Sequence, residues 1–354
     1  MWMVVGLLLL VLGGNLLVRH ASNLAEIAGI PVVIIGLTVV AFGTGSPELF
    51  TSAYGRIAGE GGMALGNVVG SVIFNVFFTL GVSAIFAPMT VHSKLLSQEV
   101  PVVLVLSVVT VLFSLSGTIA KWQAGVLLLT FFVYTGWMAY QSYFDTIPAA
   151  GVDGDPETVP APGTHWAVSL FLVLVGLVCL VAGGRFFVTS AARLAASLGV
   201  SRELIGLTVV GVGTSLPELI TSLVASLRGE SDIAVGNVVG SNLFNLTVVL
   251  GCTGLLGTGG LPVPAQLMEF DMLVMIAGGV VCLPVMFSGR RLDRWEGVVF
   301  VLYYAGYIGY LVLQAAGVLS TPYAREALLL FVIPLSLFTM FVIGYRAGYE
   351  RWKG

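Results

Sequence analysis

Long apolar runs, broken by short polar segments, recur along the whole chain. A helix that crosses a membrane needs about 20 mostly apolar residues. On that measure the pattern predicts eleven spans, near 2–19, 32–57, 63–87, 99–117, 122–144, 166–188, 203–227, 233–257, 268–288, 295–316 and 327–345. The one sizeable polar stretch, Asp145 to Thr164, is acidic and Pro-rich and reads as an exposed linker. Its Asp153-Gly154-Asp155 reads as a solvated turn rather than a calcium loop. The opening run "MWMVVGLLLLVLGGNLLV" lacks a basic leader, and its length suits a first span better than a cleaved signal. No stretch is left for a separate soluble regulatory domain.

Two of these spans carry polar positions at their centres. "GTGSPELFTS" (43–52) lies in the second and "GTSLPELITS" (213–222) in the seventh, a shift of 170 residues. At the same shift "GNVVGSVIFN" (66–75) meets "GNVVGSNLFN" (236–245). Residues 35–75 and 205–245 share 24 identities in 41 positions without a gap. Outside this block Gly13-Gly14 faces Gly183-Gly184, and Glu99 faces Glu269. Equivalent spans are five apart, an odd number, so the copies are expected to cross the membrane in opposite senses. The predicted fold is an all-α polytopic membrane protein: two inverted repeats of five transmembrane helices plus one extra C-terminal helix. Its units are 1–144, the linker 145–164, 165–316, and 317–354 with the extra helix and tail. Inverted repeats recur in secondary transporters, with the substrate site near the midplane between the halves. Duplication kept only for packing is the alternative, and the intramembrane charges argue against it.

Glu48 lies about sixteen residues into its span, deep in the hydrocarbon at 1.5 Å per residue. Glu218 has the matching place. A carboxylate at that depth needs a partner, and intramembrane acids mark functional sites. No Lys or Arg lies at comparable depth in spans 2, 3, 7 or 8; Arg56 and Arg228 sit at span ends. The remaining partners are a bound cation or a proton; a structural, permanently protonated pair is the competing reading. Pro47 and Pro217 have no N–H, so the carbonyls of Gly43 and Gly213, four residues earlier, lose their helical donors. Thr44 and Glu48 share a helix face at i,i+4, as do Thr214 and Glu218, Ser71 and Asn75, and Ser241 and Asn245. The set is all oxygen, the chemistry of hard cations such as calcium. For the Ser and Asn residues taken singly, interhelical hydrogen bonding is the competing reading. Asn67 and Asn237 read mainly as capping and packing residues. His20, His92 and His165 fall at span ends or in loops.

Composition agrees with a membrane protein. The 354 residues are 57% hydrophobic and 9% charged, against roughly 25% charged in soluble domains. The net charge of -3 gives no basic surface for nucleic acid. Cys179, Cys252 and Cys282 lie in apolar runs, which argues against disulfides or a soft-metal cluster. Lys and Arg divide by side of the membrane into nine (Arg19, Lys94, Arg228, Arg290, Arg291, Arg294, Arg346, Arg351, Lys353) and six (Arg56, Lys121, Arg185, Arg193, Arg202, Arg325). The bias predicts an integral plasma (inner) membrane protein with an external N-terminus and, with eleven spans, a cytoplasmic C-terminus.

The two motif pairs resemble the alpha repeats of the calcium/cation antiporter superfamily, particularly its prokaryotic sodium/calcium exchanger branch, over roughly residues 1–316. The resemblance implies ten spans in two inverted halves, with spans 2, 3, 7 and 8 forming the ion site. It implies calcium export driven by an inward sodium gradient. By motif position the ion ligands would be Thr44, Glu48, Ser71 and Asn75, with Thr214, Ser215, Glu218, Ser241 and Asn245. Glu48 and Glu218 would hold calcium, and backbone carbonyls near Ala41 and Gly211 would contribute. The sequence departs from the family pattern in three ways. Gly45 stands where the second copy has Ser215, with Ser46 as a neighbouring hydroxyl. Val72 stands where the second copy has Asn242. Asn75 and Asn245 are both amides, where some exchangers carry an Asp.

The expected activity is secondary antiport of calcium against sodium by alternating access. Proton/calcium antiport through the same glutamates is the alternative, and a cation channel lined by them is another class. An intramembrane enzyme lacks a Gly-x-Ser-x-Gly, a zinc-binding His pair or an Asp dyad. Expected partners are inorganic cations and the lipid bilayer. No cofactor, nucleic acid or protein partner is expected.

Overall fold

The computed structural model describes residues 2–91, 95–145, 166–198, 211–287 and 290–315, with scattered positions between 329 and 341. The linker beyond Asp145, the opening of the seventh expected span, His92, His165 and most of the eleventh expected span lie outside the described residues. The described chain is almost entirely helical. Its helices are α1 (Trp2–Ala28), α2 (Val32–Thr44), α3 (Ser46–Ile57), α4 (Gly61–Phe86), α5 (Ser97–Ser114), α6 (Lys121–Asp145), α7 (Trp166–Ser197), α8 (Leu216–Leu227), α9 (Ser231–Leu255), α10 (Met272–Phe287) and α11 (Arg294–Ala315). Six of them are long and apolar enough to cross a membrane, and α2 with α3 makes a seventh if the bent pair is one span.

Burial sorts the helices into a centre and a rim. The apolar window of α9 is 100% buried and that of α4 78%, whereas α1 and α7 each bury 33%. The rim helices turn large apolar side chains outward, among them Leu8, Val178 and Leu302. An apolar exterior of this extent belongs in lipid, since soluble monomers rarely expose large apolar patches.

Glycine sets the close approaches. A Cβ on Gly6 would lie 2.8 Å from the Gly183 carbonyl oxygen, and one on Gly13 would lie 2.7 Å from that of Gly176. The contacts are reciprocal, because Gly176 meets Gly13 and Gly183 meets Gly6. Rising numbers in α1 thus meet falling numbers in α7, so the two helices run antiparallel at backbone contact. Small residues permit this where lipid supplies no hydrophobic drive between helices. Gly6 and Gly13 are the residues that the 170-residue shift sets opposite Gly176 and Gly183.

Two short antiparallel ladders tie the loops. β1 (Met89–Thr90) pairs with β4 (Arg291–Leu292), and β2 (Thr118–Ile119) pairs with β3 (Leu261–Pro262). Met89 faces Leu292, and Ile119 faces Leu261. Each ladder is the image of the other when residues 89–90 map to 261–262 (shift 172) and 118–119 to 291–292 (shift 173). Helix starts follow the same offset. Gln123 Oε1 accepts from the Ala120 N–H at 2.7 Å, and Glu296 Oε2 from the Asp293 N–H at 2.8 Å, the reach-back half of a capping box. The shift therefore grows from 170 to 173 outward from the centre. This corrects one expected correspondence. Glu99 ends the π turn Leu95–Glu99, and the matching turn Leu267–Asp271 ends on Asp271, so Glu99 corresponds to Asp271 rather than to Glu269, which is exposed.

Candidate functional site

The polar centre forms where a helix breaks. α2 stops at Thr44, α3 starts at Ser46, and the axis turns by 41°. Pro47 occupies the first turn of α3 and Pro217 that of α8, where a missing N–H costs nothing. Glu48 and Glu218 follow in those same first turns. Each carboxylate thus sits at the positive end of a half-helix, which favours negative charge. Of the expected carbonyls, that of Ala41 already accepts the Gly45 N–H at 2.9 Å and the Thr44 hydroxyl at 3.5 Å. In the second copy the Ser215 N–H reaches back to Val212 at 3.2 Å instead. Gly43 and Gly213 are buried at the ends of the preceding segments, and Gly211 opens the helical turn Gly211–Gly213.

The side chains then cross between copies. Ser215 Oγ donates to Glu48 Oε1 at 3.0 Å and lies 3.0 Å from Ser71 Oγ. The Thr214 hydroxyl also faces Glu48, and the Thr44 hydroxyl faces Glu218. Thr44 Oγ1 donates to Asn237 Oδ1 at 3.1 Å and lies 3.4 Å from Ser241 Oγ. Thr214 Oγ1 donates to Asn67 Oδ1 at 3.3 Å. Asn75 Nδ2 donates to Asn242 Oδ1 at 3.1 Å, joining α4 to α9. Asn75 and Asn245 lie at the start of π turns, Phe74–Thr79 and Asn245–Val249. Such turns concentrate at functional sites.

Asn67 and Asn237 do not cap: α4 starts at Gly61 and α9 at Ser231, so both amides lie in the second turn. Asn67 Nδ2 donates to Ser52 Oγ at 2.9 Å and Asn237 Nδ2 to Ser222 Oγ at 2.9 Å. The same amides reach the backbone carbonyls of Glu48 (3.5 Å) and Glu218 (3.2 Å). Each therefore locks a glutamate-bearing half-helix to α4 or α9, while its oxygen receives a threonine from the other copy. Their mirrored placement was visible in the sequence; the threonine contact, between segments 147 and 193 residues apart, was not.

The two copies are not equally satisfied. Glu48, Glu218, Asn75 and Asn245 are all fully buried. Glu48 Oε2, both oxygens of Glu218, Asn75 Oδ1 and both amide atoms of Asn245 have no hydrogen-bond partner. Among the described residues neither glutamate has a salt-bridge partner. The imbalance follows the sequence departures. Ser215 serves Glu48, and its counterpart Gly45 has no hydroxyl to serve Glu218. Asn242 serves Asn75, and its counterpart Val72 has no amide to serve Asn245. A side chain at Gly45 has no room, since a Cβ there would lie 2.7 Å from Phe244 Cδ1 and 3.0 Å from the Ala41 carbonyl oxygen. Ser46 does not stand in. Its hydroxyl donates across the break to the Phe42 carbonyl of α2 at 2.8 Å.

Among the described residues the two copies differ in exposure. A cavity of about 470 Å³ is lined by Thr51, Ser52, Asn67, Thr214, Asp271 and Tyr307 and reaches the exposed Met63, Pro264 and Gln266. Asn67 and Thr214 are half-buried and Thr51 is exposed, while their counterparts Asn237, Thr44 and Thr221 are completely buried. A second cavity, of about 1040 Å³, lies between α2, α6 and α7 and is lined mainly by apolar side chains, with Thr38, Ser46, Thr135 and Arg185 among them. Among the described residues no group of three or more His, Cys, Asp or Glu side chains could hold a metal ion. Any cation at the centre would depend on two carboxylates and neutral oxygens.

Comparison with known proteins identifies the family. The family model described as sodium/calcium exchanger protein matches residues 1–140 and 168–313. The sodium/calcium exchanger MaX1 of Methanosarcina acetivorans is 31% identical over 338 residues, covering 86% of this chain and 96% of that protein. The inner membrane protein YrbG of Escherichia coli is 33% identical over 281 residues, covering 78% of this chain and 85% of its own. Among solved structures, the sodium-calcium exchanger NCX_Mj soaked with zero Na+ and Ca2+ superposes with a TM-score of 0.74 at 29% identity, covering 88% of this chain and 97% of that one. An integral membrane protein of paired Pro-Glu half-helices, matched by the family model on both sides of its central linker, this chain belongs to the sodium/calcium exchanger family.

Proposed function

We propose that this protein is a secondary antiporter that exchanges calcium for sodium across the membrane by alternating access. The observation that carries the reading is the pair of fully buried glutamates with three of four carboxylate oxygens unpartnered. Burying an ionised carboxylate costs several kcal/mol unless it is paired. A divalent cation balances two such charges, and protein oxygens complete its shell. Glu48 and Glu218 carry the charge. Thr44, Thr214, Ser215, Ser71, Ser241, Asn75 and Asn245 supply neutral oxygens, and the carbonyls of Ala41, Gly43, Gly211 and Gly213 are the backbone candidates. Sodium ions compete for the same oxygens, so loading one cation releases the other.

The architecture proposed for this work is an inverted pair of five-span repeats, residues 1–144 and 165–316, joined by the linker 145–164 and followed by an eleventh span within 317–354. The antiparallel contact of α1 with α7 and the matched registers of the two ladders support it. On the cavity side Thr51 is exposed and Asn67 and Thr214 are half-buried, while their counterparts Thr221, Asn237 and Thr44 are buried, which supports exchange of access between two equivalent routes. The Lys and Arg distribution supports an external N-terminus, and with it an external cavity mouth. The test is calcium flux in proteoliposomes under an imposed sodium gradient at fixed pH, then under a pH gradient without sodium. Sodium-driven flux that disappears in both Glu48→Gln and Glu218→Gln is expected. Flux in the wild type driven by the pH gradient alone assigns proton coupling instead, and near-normal flux in both variants sinks the site assignment.

A further inference from the structure

Asp271 is a buried acid that the central site does not use. It ends the π turn Leu267–Asp271 ahead of α10, and its Oδ1 accepts the Tyr307 hydroxyl of α11 at 2.7 Å. Both residues line the 470 Å³ cavity, together with Asn67 and Thr214 of the central network. Among the described lining residues Asp271 is the sole formal charge. A phenol hydroxyl contributes one hydrogen bond and no charge, so it leaves a carboxylate at this depth without electrostatic balance. The nearby Thr51 and Thr214 hydroxyls and the Asn67 amide offer further neutral oxygens along the cavity wall. One negative charge among neutral oxygens balances a monovalent cation and leaves a divalent one half-compensated.

The arrangement recurs in the other copy. Glu99 ends the π turn Leu95–Glu99 that leads into α5 and accepts a hydrogen bond from Tyr134 of α6. Glu99 maps to Asp271 at shift 172 and Tyr134 to Tyr307 at shift 173, the offsets set by the strand ladders. An acid–tyrosine pair at equivalent places in both halves has the placement expected of a station on each access route.

We propose that Asp271, positioned by Tyr307, is an entry site for a sodium-class monovalent cation on the route to Glu48 and Glu218, and that Glu99 with Tyr134 serves the opposite route. The role as an entry station rests on the exchanger reading, whereas cation binding at Asp271 does not. Two experiments separate them. The first uses protein with Cys179, Cys252 and Cys282 replaced, Met63→Cys at the cavity mouth, and Glu218→Gln to weaken the central site. Its readout is the rate at which a cationic methanethiosulfonate reagent labels Cys at position 63, in sodium or in N-methylglucamine. Sodium slows labelling several-fold with Asp271 present and has no effect with Asp271→Asn. Equal sodium effects in both overturn the proposal, as does equal slowing of a neutral reagent, which reports closure rather than charge.

The second experiment compares sodium KM on the two sides of the proteoliposome membrane. Asp271→Asn raises it on the cavity side about fivefold, as loss of ~1 kcal/mol of attraction would, and leaves the other side unchanged. Tyr307→Phe, which keeps the carboxylate, shifts it less in the same direction. No change, or equal change on both sides, overturns the entry role. Absence of sodium-driven flux in the wild type overturns the exchanger reading and the entry role with it, while the labelling result still decides whether Asp271 binds the cation.

Discussion

Gly45→Ser would restore to the first copy the hydroxyl that Ser215 gives the second, and the structure predicts that it fails. A Cβ at position 45 would lie 2.7 Å from Phe244 Cδ1 and 3.2 Å from Phe244 Cε1. Carbon atoms pack at about 3.5–4.0 Å, so the ring must retreat by roughly 1 Å. Phe244 is buried and held edge-on by Phe42 at 5.2 Å and Phe131 at 6.1 Å. Overpacking of this kind costs about 1–3 kcal/mol. A hydroxyl donated to the Glu218 carboxylate would return about 1.5–3 kcal/mol, but only with the ring displaced. The single variant is therefore expected to melt lower than wild type in detergent and to gain no sodium affinity. In a Phe244→Leu background the same change costs at least about 1 kcal/mol less, a coupling that a double-mutant cycle reads directly. Sodium affinity, from the sodium dependence of calcium flux, rises in the double variant alone. A single Gly45→Ser variant that melts like wild type and binds sodium more tightly would refute the assignment of Phe244 as the obstacle.

Four further outcomes are expected. Ser215→Ala removes one of the oxygens proposed to ligate the cation, and calcium affinity by equilibrium binding falls about tenfold, as loss of ~1.4 kcal/mol of coordination would; an unchanged affinity excludes Ser215 from the site. Asn245→Leu weakens calcium binding more than Asn75→Leu, because Asn75 Nδ2 is already held by Asn242 while both amide atoms of Asn245 are unpartnered; equal losses contradict the asymmetry. Gly13→Leu drives a side chain into the Gly176 carbonyl and the Leu180 amide and should lower thermal stability by at least about 1–3 kcal/mol, with Gly176→Leu doing the same from the other face; wild-type melting of either rejects the backbone contact. Thr51→Cys, in protein otherwise free of reactive cysteines, is labelled from the cavity side and Thr221→Cys is not, following their exposed and buried settings; labelling both at one rate denies one-sided access.

The centre of the site was legible in the sequence because repeat and chemistry coincide there. The block 35–75 against 205–245 aligns without a gap, but the expected i,i+4 pairing of Thr44 with Glu48 and of Thr214 with Glu218 does not hold, because the helix breaks at Gly45 and each threonine faces the glutamate of the other copy. What spacing along one chain cannot give is the crossing of the copies. Thr44 meets Asn237 and Ser241, and Ser215 meets Glu48 and Ser71, through tertiary packing alone. Asn67 and Asn237 looked like caps because each stands near a helix start, yet they brace the half-helices that carry the glutamates. The equivalence of Glu99 with Asp271 was hidden for a different reason. Connections of unequal length move the shift from 170 to 172, and an ungapped comparison then points to Glu269 on the surface. The paired strands and π turns restore the register because backbone geometry persists where sequence identity has faded.

The departures that distinguish the two copies converge on one half of the cage. Gly45 lies at the break between α2 and α3 and Val72 lies on α4, yet each deprives a second-repeat residue, Glu218 and Asn245, of the hydrogen-bond partner that Glu48 and Asn75 have. Random loss would be expected to scatter unsatisfied atoms over both copies. Here Glu218 and Asn245 together hold four unpartnered atoms, against two for Glu48 and Asn75. An unpartnered buried carboxylate oxygen destabilises the unliganded protein and is relieved when a cation arrives, so the lost donors raise the difference between the two states. Gly45 therefore trades a fixed internal hydrogen bond for greater dependence of Glu218 on its ion. On that reasoning the proposed cation site lies closer to the second repeat, and the ring of Phe244, filling the space a serine would need, keeps Glu218 available to its ion.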